Sequence, residues 1–212
     1  MTIRTLSLRA LPLALLLATG ALQAMAQTPA PNTPAPNTRV ANTVQRDVNQ
    51  QTRIENGLKD GSLNTKEAGK LEKEESRIDR QQAADLKDGK LSPREKAQLR
   101  REQDRASRDI AADRSNAAKG NPQSASSQRM QADVQRNVNQ EARIEQGVKS
   151  GALTNPEAGK LERGQAHVDR KEGVAARDGH VGAKEQLHVQ HSENRQSDKI
   201  FNKKHNVPNA KG

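Results

Sequence analysis

The chain has 212 residues, with 36 Lys and Arg against 26 Asp and Glu (net charge +10), one Phe, and no Trp, Tyr or Cys. The absence of cysteine excludes disulfides, thiol catalysis and Cys-based zinc sites, and the scarcity of large apolar residues argues against a deep globular core. The positive charge is diluted among acids and has no aromatic stacking platform beside it, so no nucleic-acid partner is expected.

In chain order, residues 1–26 form a distinct segment. Arg4 and Arg9 precede a short apolar run from Leu11 to Leu22, and Ala24-Met25-Ala26 has the A-x-A form of a cleavage site. This pattern predicts a secretory signal peptide cleaved after Ala26, and hence a periplasmic or secreted protein. The run falls short of the roughly 20 residues a membrane span needs, so no membrane span is expected. Residues 27–39 carry "TPAPNTPAPN", whose prolines predict a disordered, polyproline-like leader.

The rest of the chain is written twice. "VQRDVNQQTRIENGLKDGSLNTKEAGKLEKEESRIDR" from Val44 returns as "VQRNVNQEARIEQGVKSGALTNPEAGKLERGQAHVDR" from Val134, and residues 44–110 align with 134–200 without a gap. Repetition at a fixed offset marks a duplicated module. Module 1 is assigned to residues 40–115 and module 2 to 129–207. Between them lies a Gly/Ser/Pro/Asn-rich linker (116–128), and residues 208–212 form a tail.

Each module contains a smaller element twice. "LKDGSLNTKE" at Leu58 recurs as "LKDGKLSPRE" at Leu86, and their counterparts begin at Val148 and Ala176. Gly61, Gly89, Gly151 and Gly179 stand where a helix ends in left-handed geometry. Lys59, Lys87, Lys149 and Arg177 complement the carboxyl end of the dipole. Ser92-Pro93-Arg94-Glu95 is a capping box with Pro at N1, and Thr154 with Glu157 and Asn64 with Glu67 repeat it. Gly182 before Glu185 is the weak fourth copy.

Helices are therefore predicted near 40–59, 65–87, 93–115, 130–149, 155–177 and 183–205. Apolar seams at helical spacing, such as Val40, Val44 and Val48, support them. The expected fold class is all-α: two tandem three-helix hairpin modules of long polar helices with thin apolar seams, joined by a flexible linker.

Two motifs invite chemistry. The D-G-x-L…E turn resembles an EF-hand loop, but its first and third positions are Ala84 and Leu86 in one copy and Val174 and Ala176 in another, which offer no side-chain oxygen. The first copy keeps the best oxygen set, so Asn56, Asp60 and Glu67 are the calcium candidates. All five histidines lie in module 2. His188 and His191 share a helix face with Glu185 one turn earlier, a set able to chelate a transition metal. The chain has no phosphate loop and no nucleophile with a positioned base; no catalytic residue, enzyme activity or cofactor is expected.

The turn glycine, the "LT/LS-x-x-E" start, "R-I/V-D-R" and the closing "NRQSDKIFNKKHN" (Asn194–Asn206) resemble a group of small, charge-rich, helical exported bacterial proteins without an assigned activity. More distantly, Leu91-Ser92-Pro93-Arg94-Glu95 and Leu153-Thr154-Asn155-Pro156-Glu157 are similar to the "LTxxQ" motifs of the Spy/CpxP periplasmic stress proteins, with Glu in place of Gln. That likeness implies a chaperone that binds unfolded clients on a basic, partly apolar helical cradle. The leading expectation is accordingly a non-enzymatic helical interaction protein. Its contact seam would be Val44, Val48, Val134 and Val138, framed by Arg46, Arg53, Arg136 and Arg143. Metal binding or buffering is the alternative. A tail from Lys199 to Lys211 with no acid after Asp198 suits an anionic envelope surface, and homo-oligomerisation is open.

Overall fold

The computed structural model describes residues 38–206; the signal-peptide assignment, the leader up to residue 37 and the end of the basic tail lie outside them, whereas Thr38 and Arg39, placed in the leader by the sequence, are already helical. Within that range 83% of residues are helical and no strand is present. The helices are α1 (Thr38–Asp60), α2 (Thr65–Asp85), α3 (Pro93–Ser115), α4 (Ala125–Ser150), α5 (Asn155–Ala175) and α6 (Ala183–His205), with a 3₁₀ turn at Leu86–Asp88 after α2.

Their ends are set by the residues the sequence singles out. Gly61, Gly89, Gly151 and Gly179 have φ of 74°, 84°, 77° and 89°. Asn64, Ser92 and Thr154 each accept a hydrogen bond from the backbone N–H three residues on, at 2.9, 3.3 and 3.3 Å, and the Glu at that position accepts in return from the cap's own N–H. At the fourth start only the reciprocal half exists: Glu185 accepts from the Gly182 N–H at 2.8 Å.

The segment expected as a flexible linker is shorter than expected and held in place. Ser124 caps α4 by accepting from the Ser127 N–H at 3.1 Å, so the serines of 124–127 start a helix rather than extend a loop. Upstream, Gly120 donates to the Gly61 carbonyl (3.0 Å), and a Cβ on it would lie 2.3 Å from the Leu63 carbonyl oxygen. Asn116 donates to Glu67 at 2.8 Å.

The most extensive helix contacts cross the duplication, α2 against α5 and α1 against α4. Gly69 and Gly159 let α2 and α5 approach: a Cβ on Gly69 would meet the Ala176 Cβ at 2.5 Å, and one on Gly159 the Leu86 Cβ at 2.9 Å. These contacts exchange when ninety is added or subtracted, the sign of a local two-fold relation between the copies. The apolar clusters obey the same rule. One contains Val44, Leu86, Leu99, Ile144 and Leu161; the other contains Val134, Ala176, Val189, Ile54 and Leu71. Each cluster is built half from each copy, so the apolar packing runs across the duplication.

Candidate metal centre

Each helix carries a seam with steps of four and three residues. On α1 it reads Val40, Val44, Asp47, Gln51, Ile54, Leu58, and on α4 Met130, Val134, Asn137, Glu141, Ile144, Val148; both runs are buried, apolar at the ends and polar in the middle. On α2 the polar stretch is Glu72, Glu75, Asp79 and Gln82, and on α5 it is Glu162, Gln165, Asp169 and Glu172. All eight are at most 1% exposed. Heptad spacing turns these residues toward the neighbouring helices, where leucines would ordinarily sit. The result is an acidic layer between the two apolar clusters.

Two groups within the layer have ligand oxygens all within 4.8 Å of one another: Asp47, Asp79 and Glu162, and Glu72, Asp169 and Glu172. Each draws on both copies of the repeat. Amides surround them. Gln82 and Gln103 donate to Asp47 at 3.2 and 2.6 Å, Gln51 donates to Glu72 at 3.0 Å, and Asn137 donates to Asp169 at 3.1 Å and Glu172 at 2.7 Å. Once these amide nitrogens are engaged, acceptors remain in excess. Both oxygens of Glu75 and of Glu162 accept no hydrogen bond, nor do the amide oxygens of Gln51, Gln82 and Asn137. Gln82, whose amide also approaches Glu162, hydrogen-bonds Asp47 instead.

No positive side chain answers this charge from within, because among the described residues no Lys or Arg is buried. A buried ionised carboxylate without a partner costs several kcal/mol. Burial accordingly pushes Asp47 and Glu72 up to about 7, although amide donation opposes it. Glu75, Glu141 and Glu162 are held well above the carboxylate range by burial first and neighbouring carboxylates second. At the edge of the layer burial takes Glu193 up to about 8, against the pull of Arg136, whose Nε lies 3.1 Å from it.

Such a layer has two chemical states. It holds shared protons, or it holds cations. Oxygens around one calcium ion at about 2.4 Å lie at most about 4.8 Å apart, and the ligand oxygens of each group all lie within 4.8 Å of one another. With carboxylate and amide oxygens and no imidazole or thiolate, the donor set suits hard cations of the Ca²⁺, Mg²⁺ and Mn²⁺ type.

The sites expected from sequence fall elsewhere. Val44 and Val134 are fully buried in the apolar clusters, not on an exposed seam; Val48 and Val138 are half-buried. Their framing arginines tie helices together. Arg46 pairs with Asp104, Arg53 donates to the Ser107 carbonyl (3.0 Å), Arg136 reaches Glu193 and Asn194, and Arg143 donates to the Ser197 carbonyl (3.2 Å).

The calcium candidates are engaged as well. Asp60 accepts from the Ser62 N–H (2.8 Å) and Arg114 (2.7 Å), Glu67 serves as a cap partner and accepts from Asn116, and Asn56 is exposed. Glu185 and His188 line an open groove of about 420 Å³ together with His167 and Lys171, whereas His191 is exposed and is not one of the residues lining it. Glu185, His188 and His191 do not form one of the clustered ligand sets.

The layer itself was accessible to sequence reasoning but easily missed. Its signal is the unbroken four-three spacing that carries an apolar seam straight through acids, twice. No protein-family model, curated protein or solved structure matches the chain. Among the described residues no helix is long and apolar enough to cross a membrane.

Proposed function

We propose that this is a non-enzymatic, exported helical protein that binds hard metal cations in the acidic layer formed where two copies of a three-helix unit dock. The observation that carries this reading is the pair of buried three-carboxylate groups with oxygens left without donors. The exported location rests on residues 1–26 and on the resemblance to small exported helical proteins. Binding by carboxylates releases the protons they hold, so affinity rises with pH through neutrality.

The test is equilibrium dialysis of residues 27–212 against Ca²⁺, Mg²⁺, Mn²⁺ and Zn²⁺ at pH 7.5. Glu72→Gln with Glu162→Gln is expected to weaken Ca²⁺ or Mn²⁺ binding at least tenfold, and His188→Gln with His191→Gln to leave it unchanged. No binding, or binding abolished only by the histidine pair, would contradict the assignment.

One observation keeps a client-binding reading in view. The exposed large apolar side chains among the described residues are Val174, Leu187 and Phe201, all on α5 and α6. If unfolded chains dock on this protein, Leu187→Ser with Phe201→Ser removes protection of a model client from aggregation; protection that survives the double substitution places the contact elsewhere.

A further inference from the structure

The two carboxylate groups are related to each other. Adding ninety turns Glu72 into Glu162 and Asp79 into Asp169, one from each group onto its mate in the other. The third acid moves. In the first group it is Asp47 on α1, while the α2 position is Gln82; in the second it is Glu172 on α5, while the α4 position is Asn137. The acid and the amide have changed places, yet across these four positions each group retains three carboxylates and one carboxamide. A solvated acidic surface would not require that balance.

The groups are also contiguous. Asp79 of the first group and Asp169 of the second are close enough to share a hydrogen bond. Glu75, between Glu72 and Asp79 on α2, has Asp47 and Asp79 of one group and Glu72 of the other among its charged neighbours, with Glu74 beside it, so it faces both groups with two unpartnered oxygens. The amide oxygens of Gln82 and Asn137, buried and unpartnered, belong to side chains whose nitrogens donate into the groups. They stand ready as neutral ligands.

We infer that the acidic layer is a two-cation centre, one ion in each group, with Asp79 and Asp169 bridging on the local two-fold axis so that the ions load as a pair. The inference rests on the cation-binding reading above. Three carboxylates, each able to bind through one or both oxygens, and one amide oxygen supply up to about seven oxygens, within the six to eight a Ca²⁺-sized ion takes. Each ion needs ligands from both copies: Asp47 and Asp79 with Glu162, and Asp169 and Glu172 with Glu72. Neither repeat makes either site alone. Loading therefore clamps the two copies together, and the first ion organises the bridging acids for the second.

Native mass spectrometry of residues 27–212 titrated with Mn²⁺, combined with electron paramagnetic resonance, tests the pairing. The expected result is a limit of two ions, with the one-ion species at half saturation well below the roughly one half that independent equal sites give. The two-ion form should show an exchange-broadened signal in place of the six-line pattern of an isolated ion.

Asp79→Asn and Asp169→Asn should each reduce the protein to a single ion with six lines. Both substitutions replace a buried acid by its isostere, and circular dichroism checks that the helices persist. A limit of one ion, or two ions that fill statistically with six-line spectra, would overturn the paired centre and leave cation binding standing. No retained Mn²⁺, Ca²⁺ or Mg²⁺ would overturn the cation-binding reading itself.

Discussion

The apolar ends and the acidic middle of this body occupy the same seam positions and do opposite things. At the ends, Leu71 and Leu161 are at most 1% exposed and sit in apolar clusters. One to two turns further along the same helices, Glu75 and Gln165 take equivalent places and are buried to the same degree. The ends hold six thin-seamed helices together. The middle works against that association unless protons or cations neutralise it. A chain with so few large apolar residues would ordinarily place leucines at every seam position; leaving the centre to carboxylates points to a role for that layer other than folding.

The largest test of this contrast is truncation at the ends. Leu71→Ala and Leu161→Ala are each expected to cost about 2–5 kcal/mol, with similar values for the two copies because the clusters interchange. Denaturant melts check this; a large disparity between them would break the two-fold relation. In the middle the sign should reverse. Glu75→Gln in metal-free protein at pH 8 should leave stability unchanged or raise it by about 1–3 kcal/mol, because it removes a buried charge without a partner. A loss as large as that of the leucines would mean that Glu75 is paired.

The smallest effects separate the four helix starts. Ser92→Ala should cost about 1 kcal/mol, whereas Gly182→Ser, which supplies the missing half of the fourth box, should gain a few tenths. Equal and negligible shifts at both would show that tertiary packing alone fixes these ends.

Much of this architecture is legible locally. The turn glycines, the Ser92–Glu95 and Thr154–Glu157 boxes and the seam spacing place five of the six helix starts within two residues, because caps and left-handed turns are chemistry of adjacent residues. The start of α4 is missed because serine serves loops and N-caps alike, and only Ser124's acceptance from Ser127 decides between them.

Docking of the halves is not legible, because a thin seam looks the same whether its partner lies in its own repeat or in the other. The acidic layer is hidden for a related reason. Arg80 beside Asp79 suggests a self-paired surface, yet Arg80 is exposed while Asp79, about 100° around the helix, is 1% exposed. Which side faces inward depends on α5, ninety residues away.

The account as a whole turns on thermal unfolding of residues 27–212 at pH 5 and pH 8, in chelator and in excess Ca²⁺ or Mn²⁺. Asp47 and Glu72 are raised from ordinary carboxylate values to about 7 by burial, and Glu193 to about 8. Between about pH 4 and pH 8 the folded state therefore holds protons that the unfolded chain has released, so metal-free stability falls as pH rises across that window. Cations reverse the trend, because they bind the ionised layer; at a hundredfold excess over Kd each contributes about 2.7 kcal/mol, or roughly 5–10 °C in Tm. The expected result is a metal-free protein that melts lower at pH 8 than at pH 5 and recovers at pH 8 with cation. Melting temperatures indifferent to both pH and cation would contradict the acidic layer as a binding centre.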